Sequence, residues 1–399
     1  MKKKELLTIG EFIFCCALFC EVISLMISLT TIPYMVNTDL CNLCLKLLRY
    51  VGYLLIIFKF IYEKVSLKEI ILIAGIILLL GINSIVNDKA LFMTFIFIYG
   101  MKNVRFEKVI QILSAWFAGC FVLIVIGSQL GLIDNWVYGL DDGRKRVSLG
   151  FFYPSHATSA FFYLTMLFCY VKKDNLRFWQ VIVLEALNIW QYKQTDSRTG
   201  TALIAIALIL FYLLQYKKGD LAHSMFGFCL KCAFPVCAGI SVFCCLFYDK
   251  IPALQGVNQF LSDRISLGHN GIVDYGIHVW GQKIEWVGHG GSGYINDGLT
   301  GVYSYVDCSY VRILLECGII VWIVILAGFT LASKVSVDHN EKYLAVALLF
   351  IAGYSIIEPR LLDIGFNPFM LVLANLIGYT ECFIQQENRQ GVMIRREGA

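Results

Sequence analysis

Thr195-Asp196-Ser197-Arg198-Thr199-Gly200 stands directly ahead of an unbroken apolar run. Thr195, Asp196 or Ser197 can satisfy the free N–H groups that open a helix. The N-terminus of that helix attracts an anion, and Arg198 adds a full charge beside it. Gly200 lets a backbone approach closely. The chemistry this helix head suits is the holding of a phosphate, because guanidinium meets phosphate oxygens in a bidentate way.

Three further stretches carry chemistry of the same kind. "FFYPSHATSAFFYL" (151–164) places Pro154 in a first helical turn and His156 shortly after it. "VGHGGSGY" (287–294) offers His289, which can take a proton from a hydroxyl near neutral pH. The nearby "VDCSYVRILLECGIIV" (306–321) sets Asp307, Tyr310 and Arg312 at the head of an apolar run. "YSIIEPRLLDIGFNPFM" (354–370) brings Glu358, Arg360 and Asp363 into one turn, with Pro359 stopping the run before it.

These stretches need elements to position them, and composition says which. The chain has 399 residues, 58% hydrophobic and only 16% charged, with a mean hydropathy of +0.69. A soluble domain cannot hide that much apolar surface, so a polytopic membrane protein is expected. A spanning helix needs roughly 20 mostly apolar residues. Such runs lie at 9–29, 43–62, 69–87, 90–101, 107–132, 151–171, 177–195, 198–216, 223–248, 308–331, 342–358 and 364–383. They far exceed barrel strands and do not alternate, so the fold class is an all-α polytopic membrane protein of about twelve transmembrane helices.

Lys and Arg orient the chain. With "MKKKE" inside, each inner segment is positive, including Lys102, Arg105 and Lys108, and Lys172, Lys173 and Arg177. Both termini are then cytoplasmic, and the first run reads as an anchor helix rather than a cleaved signal. Most of the fifteen cysteines lie in apolar runs as small hydrophobes. Cys41/Cys44 and Cys229/Cys232 have the C-x-x-C spacing but no partner pair to complete a zinc site. One connection stands out in a single 1–399 membrane domain: a long outer loop, 249–307, between the ninth and tenth runs, with a short surface helix at Val257–Gly268.

Outer segments are expected to be poor in cations. Yet Arg144, Lys145, Arg146, Lys193, Arg198, Arg264, Arg312 and Arg360 all fall on that side. As a set they point to one shared anionic site.

The order of these motifs resembles the Wzy-type polysaccharide polymerases, which share a superfamily with the O-antigen ligases. "SRTG" at 197–200, the long outer loop with "GHGGSGY", "VDCSYVRILLECGII" after it and "EPRLLDIGFNPFMLVL" before the last helix carry the resemblance, which covers nearly the whole chain. It implies a GT-C-like, metal-independent glycosyltransferase without a cofactor, in the bacterial cytoplasmic membrane and acting at its outer face. Its substrates would be undecaprenyl-diphosphate-linked oligosaccharides, joined into a capsule, exopolysaccharide or O-antigen. Implied partners are membrane lipids, a chain-length regulator and a flippase, with no nucleic acid. The resemblance assigns Arg198 to the diphosphate, with Arg144, Arg146, Arg312 and Arg360 as helpers, and makes His289 or Asp307 the base. Ser197, His156, Arg264, Tyr310 and Glu358 complete the expected diphosphate and glycan contacts. O-antigen ligases usually show a His where this chain has Asp307, which weighs against a ligase. A flippase or secondary transporter is the alternative of another class, and the absence of an internal repeat weighs against it.

Overall fold

The computed structural model describes residues 7–63, 66–87, 91–139, 145–217, 219–288 and 303–378. In chain order the helices are α1 (Ile9–Ser28), α2 (Ile32–Met35), α3 (Thr38–Tyr62), α4 (Leu67–Asn87), α5 (Leu91–Gly100), α6 (Phe106–Gln129), α7 (Pro154–Lys172) and α8 (Phe178–Thr195). There follow α9 (Arg198–Leu214), α10 (Met225–Leu246), α11 (Ala253–Phe260), α12 (Arg264–Tyr275), α13 (Ser309–Asp338) and α14 (Lys342–Tyr354). A ten-residue 3-10 helix, Pro368–Ile377, closes the described chain. Among the described residues α1, α3, α4, α6, α10 and α13 are long and apolar enough to cross a membrane, so this is an all-α, multi-pass membrane protein.

Local sequence sets the helix starts. Thr8 and Glu11 form a reciprocal capping box on α1. Asn37 accepts from Leu40 N ahead of α3, and Ser224 accepts from Gly227 N ahead of α10. Two apolar runs stop short of their expected ends. The run at 342–358 is helical only to Tyr354, which leaves Glu358 in the turn beyond. The run at 364–383 becomes the 3-10 helix, with Pro368 at its start.

Ion pairs sew one end of the bundle. Glu11 takes Arg105 at 2.6 Å, Lys173 reaches Glu107 at 3.1 Å, and Lys342 reaches Asp174 at 2.9 Å. The opposite end is knitted by backbone. Thr31 N donates to Gly150 O at 3.1 Å, and Ser309 N to Ser355 O at 2.9 Å. A small hairpin sits there, β1 (Val137–Gly139) pairing antiparallel with β2 (Lys145–Val147). The apolar pattern predicts helix and loop only, because two three-residue strands are too short to show an alternation. Between the ends, α7 and α14 are nearly all buried, and the Phe162 and Tyr354 rings stack at 4.0 Å. Lipid offers no hydrophobic incentive for helices to associate, so close packing of this kind supplies the attraction.

α13 is broken one third of the way along. Gly318 has φ +84 and ψ 173, outside the helical region. The extended chain at 278–282 lies against the break. Gln282 N donates to Glu316 O at 3.0 Å, and Ile319 N donates to His278 O at 3.1 Å. Asn83 of α4 donates to Trp280 O and Cys317 O. These bonds partner polar groups that the break frees from the helix, as an apolar surrounding demands. A Cβ on Gly318 would run into Gly281 N and Val279 O. We therefore expect Gly318→Ala to destabilise the purified protein by about 1–3 kcal/mol. Gly119→Ala, where nothing stands within 4 Å, is expected to be neutral. Unfolding in detergent with a denaturing surfactant measures both; equal midpoints would refute the strained break.

Candidate functional site

The backbone-knitted end gathers the polar residues. Ser309 is its clamp: Oγ donates to Glu358 O at 2.6 Å and accepts from Leu361 N at 3.2 Å. This fixes the turn after α14 against the start of α13.

Four arginines converge beside that clamp. Arg264 Nε lies 3.4 Å from Asp307 Oδ2, and its Nη1 donates to Leu261 O. Arg312 Nε lies 3.1 Å from Glu316 Oε1, which also accepts from Trp286 Nε1 at 2.6 Å. The Arg312 guanidinium covers the Tyr305 ring at 4.6 Å. Arg360 Nη1 lies 3.0 Å from Asp363 Oδ2, and Nη2 donates to His156 Nε2. A guanidinium can only donate, so His156 Nε2 accepts and the ring proton sits on Nδ1. Arg146 Nε donates to Thr195 O at 2.8 Å, with its guanidinium over the Tyr153 ring. All four act electrostatically on the one carboxylate of Asp307.

Arg264 and Arg146 also face a groove of about 950 Å³. Its walls are α9 and α10, both packed on α14, and α11 forms a rim. The head of the groove is lined by Arg146, Arg198, Arg264 and Glu358. Its trough is lined by Leu203, Ile206, Ile240 and Cys244. Ile206 and Ile240 are more than half exposed, so the trough opens sideways where acyl chains would lie. Gly200 holds α9 close to α7, since a Cβ there would overlap Thr158 Cγ2 at 2.7 Å.

A turn places Arg264. The expected single surface helix at Val257–Gly268 is instead two, α11 and α12, broken at Leu261–Asp263. Ser262 and Asp263 both adopt left-handed φ, a costly conformation for residues other than glycine. Asn258 holds them there. Its Nδ2 donates to Asp263 Oδ1 at 2.8 Å, and its Oδ1 accepts from Ile265 N and Ser266 N. Asn258 escaped the sequence reading because a lone Asn on a surface helix carries no distinguishing pattern.

The structure brings together Arg146, Arg264, Arg312, Arg360, Asp307, Glu358 and His156. Arg198 and Ser197 stand at the groove rim. Arg198 is 66% exposed and only 3.5 Å from Asp196 Oδ1. Ser197, the N-cap residue, makes no side-chain bond to α9; Thr195 Oγ1 donates to Gln191 O, and Asp196 ends α8 in a left-handed conformation. The first turn of α9, Arg198 to Gly200, lines the groove. His156 is buried behind Arg360 rather than lining the groove. Tyr310 departs from its expected contact role: it is fully buried, its hydroxyl donates to Ala352 O, and it joins α13 to α14. Arg144 and His289 lie outside the described residues. Among the described residues the cysteines are free, and no three His, Cys, Asp or Glu side chains gather to hold a metal ion.

Comparisons with protein families, curated proteins and solved structures find no match to this chain.

Burial, and then the charge of Asp307, push the Glu358 carboxyl up to about 7 against the pull of Arg360 and Arg264. A carboxyl that holds its proton more tightly when folded adds stability that is complete below its unfolded value of 4.5. That contribution is lost as pH rises through 7. The detergent-solubilised protein is therefore expected to unfold at lower temperature as pH goes from 5 to 8. Glu358→Gln, which mimics the neutral form, is expected to flatten that slope; an unchanged slope would refute the assignment.

Proposed function

We propose that this chain is a Wzy-type, GT-C-like glycosyltransferase that polymerises undecaprenyl-diphosphate-linked oligosaccharide repeats. In this reading about twelve crossings place the groove at the outer face of the bacterial cytoplasmic membrane, with both termini cytoplasmic. One observation carries the proposal. A cationic head and a laterally open apolar trough form a single groove of about 950 Å³, the shape and polarity of a lipid that ends in a diphosphate.

The polyprenyl chain would enter between α9 and α10 and lie along Leu203, Ile206 and Ile240. The diphosphate would meet Arg146, Arg198 and Arg264, together with the N-terminus of α9. As the sugar leaves, charge grows on the phosphate oxygen, and donors fixed beforehand lower that barrier most. Arg198 suits the diphosphate because, among the described residues, the carboxylate it pairs with is Asp196 at 3.5 Å, an exposed pairing worth little. Arg312 and Arg360 stand behind the head, where their field adds to the attraction. The glycan of the acceptor would approach from the side of Tyr153, Tyr303 and Tyr305.

The test is the glycan ladder of a deletion strain carrying either the wild-type chain or a variant at normal membrane levels. Wild type is expected to restore long chains. Arg198→Ala is expected to leave single repeats, and Arg198→Lys to fail nearly as badly, because the planar fork is lost in both. Full activity of the Lys variant would remove the bidentate role. Full-length polymer stranded on the lipid carrier in the deletion strain would indicate a ligase. Single repeats trapped on the cytoplasmic side would indicate a flippase.

A further inference from the structure

We infer that Glu358 is the catalytic base that takes the proton from the acceptor hydroxyl, a role that the sequence divides between His289 and Asp307. The inference rests on the polymerase reading above.

Position comes first. Glu358 lines the groove at its head, beside Arg146, Arg198 and Arg264. A diphosphate on those arginines would put the sugar carbon that bears it within reach of the Glu358 carboxylate. Asp307 does not line the groove; it is held by Arg264 at 3.4 Å and lies under four guanidiniums. A carboxylate paired there, away from the groove wall, is out of reach of an acceptor bound in the groove.

Availability comes second. Glu358 is 5% exposed, and its closest cation, Arg360 Nε, is 4.0 Å away. Arg360 directs its two terminal nitrogens elsewhere, to Asp363 and His156. The groups facing Glu358 are Asp307, Arg264 and Arg360, with Ser159 and Tyr163 of α7 and Tyr354 of α14. Ser159 Oγ donates to Ser155 O at 2.9 Å and bonds the Tyr354 hydroxyl at 3.0 Å, so hydroxyls line the closed side of the acid. Its backbone is fixed by the Ser309 clamp. Its raised proton affinity, near neutrality, is that of a base matched to its working pH.

The step balances without a co-reactant. The acceptor oxygen forms a bond to the anomeric carbon of the donor sugar. The bond from that carbon to the phosphate oxygen breaks, and its electron pair stays on the diphosphate. The acceptor proton moves to a Glu358 oxygen and then to water. One proton is released per linkage and nothing is oxidised or reduced.

The full-length protein in lipid nanodiscs supplies the test. The substrate is the lipid-linked repeat extracted from cells lacking this chain, and the readouts are elongation and retention of the labelled donor. Glu358→Gln is expected to lose elongation by roughly 100-fold or more while retaining donor. Wild-type elongation is expected to rise with pH through about 7. Ser159→Ala, which removes a nearby hydroxyl that favours the ionised form, should move that rise to higher pH, and this arm stands even if Glu358→Gln fails to fold. Elongation by Glu358→Gln at the wild-type rate, or a wild-type profile flat across pH 7 with Ser159→Ala identical to it, would overturn the role of Glu358 and leave the polymerase reading intact. Absence of elongation by the wild type with any lipid-linked repeat would overturn both.

Discussion

Arg146, Arg264, Arg312 and Arg360 act together on the partly buried carboxylate of Asp307. Four like charges at close quarters repel strongly where the dielectric is low, and each must be answered locally. Asp307, Glu316 and Asp363 each take one guanidinium, and aromatic rings cover the faces of Arg146, Arg312 and Arg360. Arg146 differs: among the described residues it meets a carbonyl and a ring but no carboxylate. Attraction for an anion is therefore concentrated where Arg146 and the exposed Arg198 border the groove.

This electrostatic arrangement explains the division of labour along the bundle. The far end is tied by ion pairs between flexible side chains such as Lys342 and Asp174. The site end is tied by backbone and by short side chains such as Ser309 and Asn258. At the site end Arg264, Arg312 and Arg360 are paired with carboxylates, and Arg146 and the exposed Arg198 are left to face a ligand. Short donors fixed by the backbone also lose little on ordering, so they hold a carboxylate or a turn with less slack than a lysine would.

Much of this was legible in the sequence. Charges at the ends of apolar runs marked Arg312, Glu358 and Arg360 because a cation or acid there has few bland uses. The long loop stood out by length alone. Other parts depend on which helices become neighbours, and no local pattern carries that. The trough exists because α9 and α10 both lean on α14, and Leu203 or Ile240 looks like any lipid-facing residue. His156 shares α7 with Ser155 and Thr158 of the groove, and Tyr310 stands two residues after Cys308 of its lining, yet one is buried against Arg360 and the other against Ala352. The Asn258 turn depends on side-chain bonds that span five to eight residues, too irregular for periodicity to reveal.

The junction between Gly281 and Gly318 has a further meaning. Two glycines in distant parts of the chain face each other, and hydrogen bonds on both sides fix which residue opposes which. The long loop would ordinarily be the freest place for natural sequences to gain or lose residues. Between Gly276 and Gln282 it is not, because one inserted residue would carry Gly281 past Gly318 and detach the Asn83 contacts. Variation in loop length must be absorbed elsewhere, so any remodelling of this loop is confined to its other portions while the segment beside α13 keeps its count.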